Sequence, residues 1–570
     1  MRYWTGLALG CALLVAAAWP AHAGPREDCG QTSNPDLAIR ACSDLIRVNP
    51  SDSVAYGNRG EAHRLKGLHD QAIADFNQAL RLNPRDDFAV GGRGEAYRLK
   101  RDYERAIADF NEAIRLNPQN AFAHASRGEA YRQKGQFDRA IADLEQALRL
   151  NSRYAFALAS LGETYRQKGQ FDRGISYLND ALRINPRNAF ALGSRGEAYR
   201  QKGDYDRALA DLDEAIGLNP RDGFVLGSRG EVHRSKGQLD RALADFDAAI
   251  GLSPRDDFAF ARRGEVYREK GVLDRAMADL GEAIRLNPRN EFAYASRGEA
   301  YRQKADFERA IADLNEAIRL NPRYSWAYGR RGEAYRGKGD LDRAIADLSE
   351  AIRLNPRDDF AYASRGEVYR QKDELDRAIA DLNEAIRLNS RYGWAFGSRG
   401  AAYRLKNDLD RALADLSEAV RLNPRDDFSY AQRGVAYQQK GDLGRALADL
   451  DEAIRLNPRS AYAHQERGAL FSAKGDHDRA ILDLNQAIRL NPNGLAAYAD
   501  RGKAYEAKGD RNRAIADYSK VLALIAKTRW EREEQERTRH KLAMLQSMPD
   551  LLTPTPSVKP GKTPGKTPPP

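Results

Sequence analysis

An all-α solenoid, built from stacked pairs of antiparallel helices, is the fold class this 570-residue sequence predicts. Three recurrences carry that reading. Glycine returns every 34 residues from Gly60 to Gly502, fourteen times in succession. Alanine returns with the same period at two further places, beginning at Ala72 and Ala79 and broken only by Gly174 and Val521. Proline closes most periods, as at Pro84, Pro118 and Pro186, with Ser152, Ser390 and Ala526 departing. A fixed period of this length marks an array of supersecondary units, so chain length does not translate into a count of globular domains.

The first element is residues 1–23, where Arg2 precedes an apolar run from Tyr3 to Trp19 and then Ala21-His22-Ala23. A short basic start, an apolar stretch and small residues around a cleavage point are expected of a signal peptide, with the mature chain beginning at Gly24. The alternative is a retained anchor, for which the apolar run is short. Export makes the periplasm or cell envelope of a Gram-negative bacterium the expected location, with no transmembrane segment in the mature chain.

Residues 24–52 follow. Asn34-Pro35 reads as a cap and first helical residue, opening a lone helix that ends near Pro50. Cys29 and Cys42 lie in this segment with twelve residues between them, and in an oxidising compartment they are expected to form a disulfide. The other readings are two unpaired small hydrophobes, or a metal site, for which no second cysteine pair or nearby histidine is present.

Residues 53–528 hold fourteen 34-residue units, the first starting at Ser53 and the last at Leu495. Within each unit, positions 4, 8 and 11 share one face of a first helix, and positions 20, 24 and 27 share one face of a second. Glycine at position 8 and alanine at position 20 are small where the helices are expected to cross. Tyrosine at position 11 and a large apolar residue at position 24 fill the space beside them. Lys-Gly-Asp or Lys-Gly-Gln, as at Lys134-Gly135-Gln136, ends one helix and caps the next. Leu-Asn-Pro-Arg-Asp, as at residues 82–86, ends the second helix and caps the following unit. Residues 529–550 read as a charged capping helix, and residues 551–570 as a disordered tail rich in proline and lysine.

This pattern of small, aromatic and proline positions resembles the tetratricopeptide repeat family over residues 53–528. The resemblance implies a right-handed α-solenoid of helix-turn-helix hairpins whose first helices line a concave face. One departure is position 7, where the family often has leucine and this chain has arginine in every unit but one, which carries Leu161. The family's grip on C-terminal carboxylates uses asparagine at position 9. This chain has mostly glutamate there, so that clamp is not carried over.

Positions 2, 5, 9 and 12 are the candidate binding face. Position 2 is aromatic at Phe88, Phe122, Phe156, Phe190, Phe224, Phe258, Phe292, Trp326, Phe360, Trp394, Phe428 and Tyr462, and position 5 is almost always glycine or alanine. Position 9 is usually glutamate, as at Glu95, Glu129 and Glu299, and position 12 usually arginine, as at Arg98, Arg132 and Arg302. Two readings stay open: a ladder of apolar slots with charged rows that register an extended ligand, or aromatics packed between repeats with Glu–Arg pairs on a solvated face. Both rows change after about residue 390, where Ala401, Val435, Ala469 and Lys503 replace glutamate, and Gln438, Ser472 and Glu506 replace arginine.

Lysine and arginine number 92 against 82 acids. Removing Arg2 of the leader and Lys559, Lys562 and Lys566 of the tail lowers the net charge from +10 to +6. That mixed surface points away from nucleic acid. The eight histidines are scattered from His22 to His540, there is no Cys-x-x-Cys, and no segment outside the repeats is long enough for a catalytic domain. The expectation is a non-catalytic scaffold without cofactor or metal that binds protein or peptide. A polysaccharide-handling role is the alternative, with the basic tail as a weak tether to anionic surfaces.

Overall fold

The computed structural model describes residues 24–526 and 529–547. The proposed leader and the proline-rich tail lie outside the described residues. Among the described residues there are thirty-one helices and no strand, and no helix is long and apolar enough to cross a membrane. The chain divides into two compact units with the boundary between Pro288 and Arg289. The first holds an N-terminal hairpin and repeats 1 to 7; the second holds repeats 8 to 14 and a C-terminal helix.

Repeat 5 shows how the sequence builds each hairpin. Its helices span Ala189–Gln201 and Tyr205–Leu218. The Asn188 side chain accepts from the Ala191 amide at 3.1 Å, and Asp204 accepts from Arg207 at 3.3 Å, satisfying N-terminal amides that have no partner inside the helix. Between the helices Gly203 takes φ +80°, a left-handed conformation that glycine adopts without steric cost. Four joints use other residues in this conformation: Arg101, Ala305, Asp373 and Asn407. Asparagine tolerates it best, whereas Ala305 bears the Cβ clash outright at φ +59°. Ala305→Gly is therefore expected to stabilise repeat 8 by about 0.5–1 kcal/mol, the relief of strain exceeding the added freedom of the unfolded chain. A rise in the denaturation midpoint is the measurement.

The core of each hairpin is the crossing of its helices. The position-24 side chain is fully buried throughout, from Phe76 and Phe110 through Leu212 and Leu348 to Tyr518. Repeat 4 has the closest approach: a Cβ on Gly162 would lie 2.9 Å from the Gly174 carbonyl, and one on Gly174 would lie 2.8 Å from the Gly162 carbonyl. That explains why Gly174 replaces the alanine found at position 20 elsewhere.

The ends are covered in different ways. At the N-terminus a short helix, Pro25–Cys29, precedes the helix Pro35–Val48, so the leading half repeat has a partial partner of its own. Cys29 and Cys42 form a disulfide between them, and both are buried with Ala41 against Ala55 of repeat 1. Opening this bridge, by reduction or by Cys42→Ser, is expected to cost about 3 kcal/mol for a loop of this size. Because repeats mainly feel their neighbours, faster amide exchange should be confined to Pro35–Val48 and repeat 1. At the C-terminus the helix Arg529–Ser547 buries Glu534, Thr538 and Leu545 on the last repeat. Its Gln535 amide donates to the carbonyls of Val521 and Leu524 at 2.9 and 2.7 Å, supplying partners to a helix end.

Candidate binding groove

In each of the first ten repeats the position-9 glutamate accepts hydrogen bonds from the position-12 arginine one helical turn on, as in Glu95–Arg98, Glu129–Arg132 and Glu299–Arg302. The pairs do not stand on a solvated face. Glu95, Glu129 and Glu299 are buried, and the Arg98 and Arg132 side chains are about one-tenth exposed. Burial works against the Arg98 charge, but the hydrogen bond and proximity of Glu95 outweigh it and raise the guanidinium's pKa. For Glu367, burial is opposed by the Arg370 hydrogen bond, and the carboxyl is held below its ordinary range. Each pair is thus neutral as a unit and leaves little charge for a ligand.

The position-2 aromatics belong partly to the packing and partly to the surface. A Cβ on Gly57 would lie 3.7 Å from the Phe88 ring, and Phe122, Phe258 and Phe360 sit in the same way on Gly91, Gly227 and Gly329 of the preceding repeat. Yet Phe88, Phe122, Phe190, Phe224 and Phe258 remain 37–54% exposed. Phe156, Phe292, Trp326, Phe360, Trp394, Phe428 and Tyr462 are half-buried. Arg330 covers two of the rings, its guanidinium carbon 5.2 Å from the Trp326 centroid and 4.0 Å from that of Phe360. In the first unit, Phe224 and Phe258 with Gly227, Arg200 and Glu231 line an open cavity of about 620 Å³. The candidate positions 2, 5, 9 and 12 thus meet in one cavity there, joined by position 6 through Ser228 and Arg262.

Three repeats replace the usual Asp or Asn cap of the first helix with tyrosine, and each tyrosine ring neighbours the aromatic two residues on. The pairs are Tyr154–Phe156, Tyr324–Trp326 and Tyr392–Trp394, with centroids 5.8–6.0 Å apart. Burial pushes the Tyr154 hydroxyl up to about 12, with the Glu95 carboxylate of repeat 2 adding to the shift.

The position-7 arginine has a role that its repetition alone did not disclose. Arg195 donates to both oxygens of Asp211, Nε and Nη2 each at 2.7 Å, and its Nη1 donates to Asn179 of the preceding repeat at 2.7 Å. The same fork onto the position-23 aspartate recurs from Arg59–Asp75 to Arg501–Asp517, so it ties helix to helix and repeat to repeat. The hydrogen bond to Asp211, opposed by burial, raises the Arg195 pKa. Repeat 4 abandons arginine and aspartate together: Leu161 is fully buried, and Tyr177 stacks on Tyr165 with centroids 5.6 Å apart. A second ladder links neighbours on the outside, as in Lys372–Asp342 and Lys440–Asp410. Its acids are more than four-fifths exposed, so each pair contributes little.

The last repeat reverses the charges of the groove rows for a local reason. Lys503 pairs with Glu534, and Glu506 pairs with Lys541, both on the C-terminal helix. Repeat 14 therefore serves the cap, and the change in surface that remains lies in repeats 11 to 13.

Hairpins stacked on a 34-residue period, with an open cavity over the first helices of repeats 4 to 7, define a helical-repeat scaffold. Models described as tetratricopeptide or TPR repeats match residues 53–86, 94–133, 128–169, 157–188, 194–257, 261–325, 296–359, 330–392, 400–441, 431–494 and 466–527. The chain belongs to the tetratricopeptide repeat family, and its fold is that of a protein-interaction scaffold. No curated protein matches it. Among solved structures, the APC/C hetero-tetramer Cut9–Hcn1 is similar at a TM-score of 0.52 and 15% identity, over 89% of this chain and all of the other. A tetratricopeptide repeat protein of Parabacteroides merdae aligns at 0.36 and 22%, over 44% and 98% of the two chains. Yeast Tom70 aligns at 0.35 and 16%, over 75% and 96%.

Proposed function

We propose that this chain is a non-catalytic scaffold of the Gram-negative periplasm or cell envelope that holds a protein partner along the groove of its first helices. The observation that carries this reading is the row of half-exposed phenylalanines seated over glycines, beside charges already neutralised by their neighbours. Such a surface is apolar where a partner would touch it and anchors contacts through large rings. The buried Cys29–Cys42 bridge supports an oxidising compartment. A photo-cross-linker at Phe224, with a control at Leu482 on a second helix, tests the partner reading in cells. A discrete protein adduct at Phe224 alone is expected; equal labelling at both sites would refute use of the groove.

A second reading, a glycan-handling accessory factor, draws support from the paired rings of Tyr324–Trp326 and Tyr392–Trp394. Aromatic rings grouped in this way offer apolar surface to the faces of sugar rings. Unchanged tryptophan fluorescence on adding neutral or acidic oligosaccharides would remove it.

A further inference from the structure

The groove of the second unit contains a stretch whose charge is not neutralised within its own repeat. Six repeats after the cavity around Phe224 and Phe258, the equivalent positions carry Phe428 and Tyr462. There Glu197 and Glu231 are replaced by Ala401 and Val435, while the counterpart of Arg200 is still an arginine, Arg404. Ten preceding position-12 arginines have a glutamate one turn back; Arg404 has alanine. Its Nε donates to the neutral Gln432 amide oxygen at 2.9 Å, and among the described residues no carboxylate lies within ion-pair distance of it. The next residue in the row is Gln438, whose side-chain oxygen is buried without a hydrogen-bond partner. A guanidinium without a carboxylate and a buried acceptor without a partner thus follow one another in the same row, and the buried acceptor carries a desolvation cost that a bound donor would relieve.

We propose that the groove of repeats 11 to 13 seats an extended acidic peptide. Its Asp or Glu side chain is taken by the Arg404 guanidinium, the half-buried Gln438 side chain turns outward so that its oxygen accepts a backbone N–H, and apolar neighbours lie against Phe428 and Tyr462. An extended peptide supplies both missing partners at once, whereas a simple anion supplies only one. The inference rests on the peptide-binding reading above and adds to it the chemistry and place of one contact.

Glu466 makes the contact pH-sensitive. Burial pushes its carboxyl up to about 7, with Arg404 pulling down, Asp500 pushing up and the Tyr462 hydroxyl bond pulling down. Gln432 and Arg370 face the same cluster through Tyr462. Below pH 7 Glu466 is neutral and Arg404 faces the groove with its charge uncompensated; above it, the Glu466 carboxylate competes with the incoming one. The peptide's own carboxylates stay ionised across this range. Affinity for acidic peptides is therefore expected to fall several-fold from pH 6 to pH 8.5, and Glu466→Gln to flatten that dependence.

The test uses the full chain on an array of N-acetylated, C-amidated nonapeptides of random sequence. Enrichment of Asp and Glu beside large apolar residues is expected, with binding to the enriched peptides about tenfold weaker or worse for Arg404→Gln. Ala401→Glu rebuilds the pair that ten other repeats accommodate and is expected to abolish the acidic preference in a fully folded chain. Peptide binding without acidic enrichment, or enrichment unaltered in both variants, would overturn this inference and leave the scaffold reading standing. Binding of no peptide at all, or of uronic-acid oligosaccharides only, would overturn both.

Discussion

Asp211→Ala is expected to destabilise repeat 5 by about 2–4 kcal/mol, because it leaves the Arg195 guanidinium without its carboxylate in a largely desolvated place. The Arg195 and Asp211 side chains are 21% and 9% exposed, which puts the loss below that of a fully buried pair. The informative variant is the double one. Repeat 4 already contains an apolar solution, Leu161 with Tyr177, at the positions of Arg195 and Asp211. Arg195→Leu with Asp211→Tyr is expected to recover at least half of what either single change loses, since a buried ion pair is often no more stabilising than apolar residues of similar volume. Amide exchange in the helices Ala189–Gln201 and Tyr205–Leu218 reads the effect locally, and the double-mutant cycle isolates the coupling. Additive losses would mean that Arg195 and Asp211 do not act as a pair in joining the two helices of the hairpin.

That network shows where reading the sequence succeeds and where it stops. The arginine at position 7 is plain in the sequence as a departure from the family, but its partner is sixteen residues away on another helix. The one available signal is joint replacement: aspartate is missing at position 23 only where Leu161 stands at position 7. The hairpins, the aspartate caps of the second helices such as Asp102 and Asp204, and the small residues at the crossing are legible because each depends on spacings within one or two turns, whereas Gln136, expected to cap in the same way, makes no capping side-chain bond to its helix. The i,i+3 spacing of Glu95 and Arg98 is legible in the same way, while their burial is not, because it is produced by the neighbouring repeat. The reversed charges Lys503 and Glu506 read as drift or a change of surface until the C-terminal helix lies against them.

The repeats differ in what they leave for a partner. Where every arginine is answered one turn back, specificity must come from shape and from the phenylalanines, and binding there should depend weakly on salt. Around Arg404 the answer is withdrawn, so an acidic partner gains a charge-assisted contact that the other ten repeats cannot offer. An acidic residue of a ligand is thereby directed to Arg404, the position-12 arginine whose glutamate is replaced by alanine.

Gly196→Leu is expected to cost about 1–3 kcal/mol through overpacking. A Cβ there would lie 2.7 Å from Leu212 Cγ and 3.2 Å from the Ala208 carbonyl oxygen. Leu212 is fully buried and the carbonyl belongs to the helix backbone, so neither gives way without moving the crossing. The control lies in the same hairpin. Gly217, in the helix Tyr205–Leu218, has nothing within 4 Å of the place its Cβ would occupy. Gly217→Ala is therefore expected to stabilise by about 0.5–1 kcal/mol through helix propensity alone. Opposite shifts of the denaturation midpoint at these two glycines would separate close approach from propensity; stabilisation at both would mean that the position-8 glycine is not there to let the helices meet.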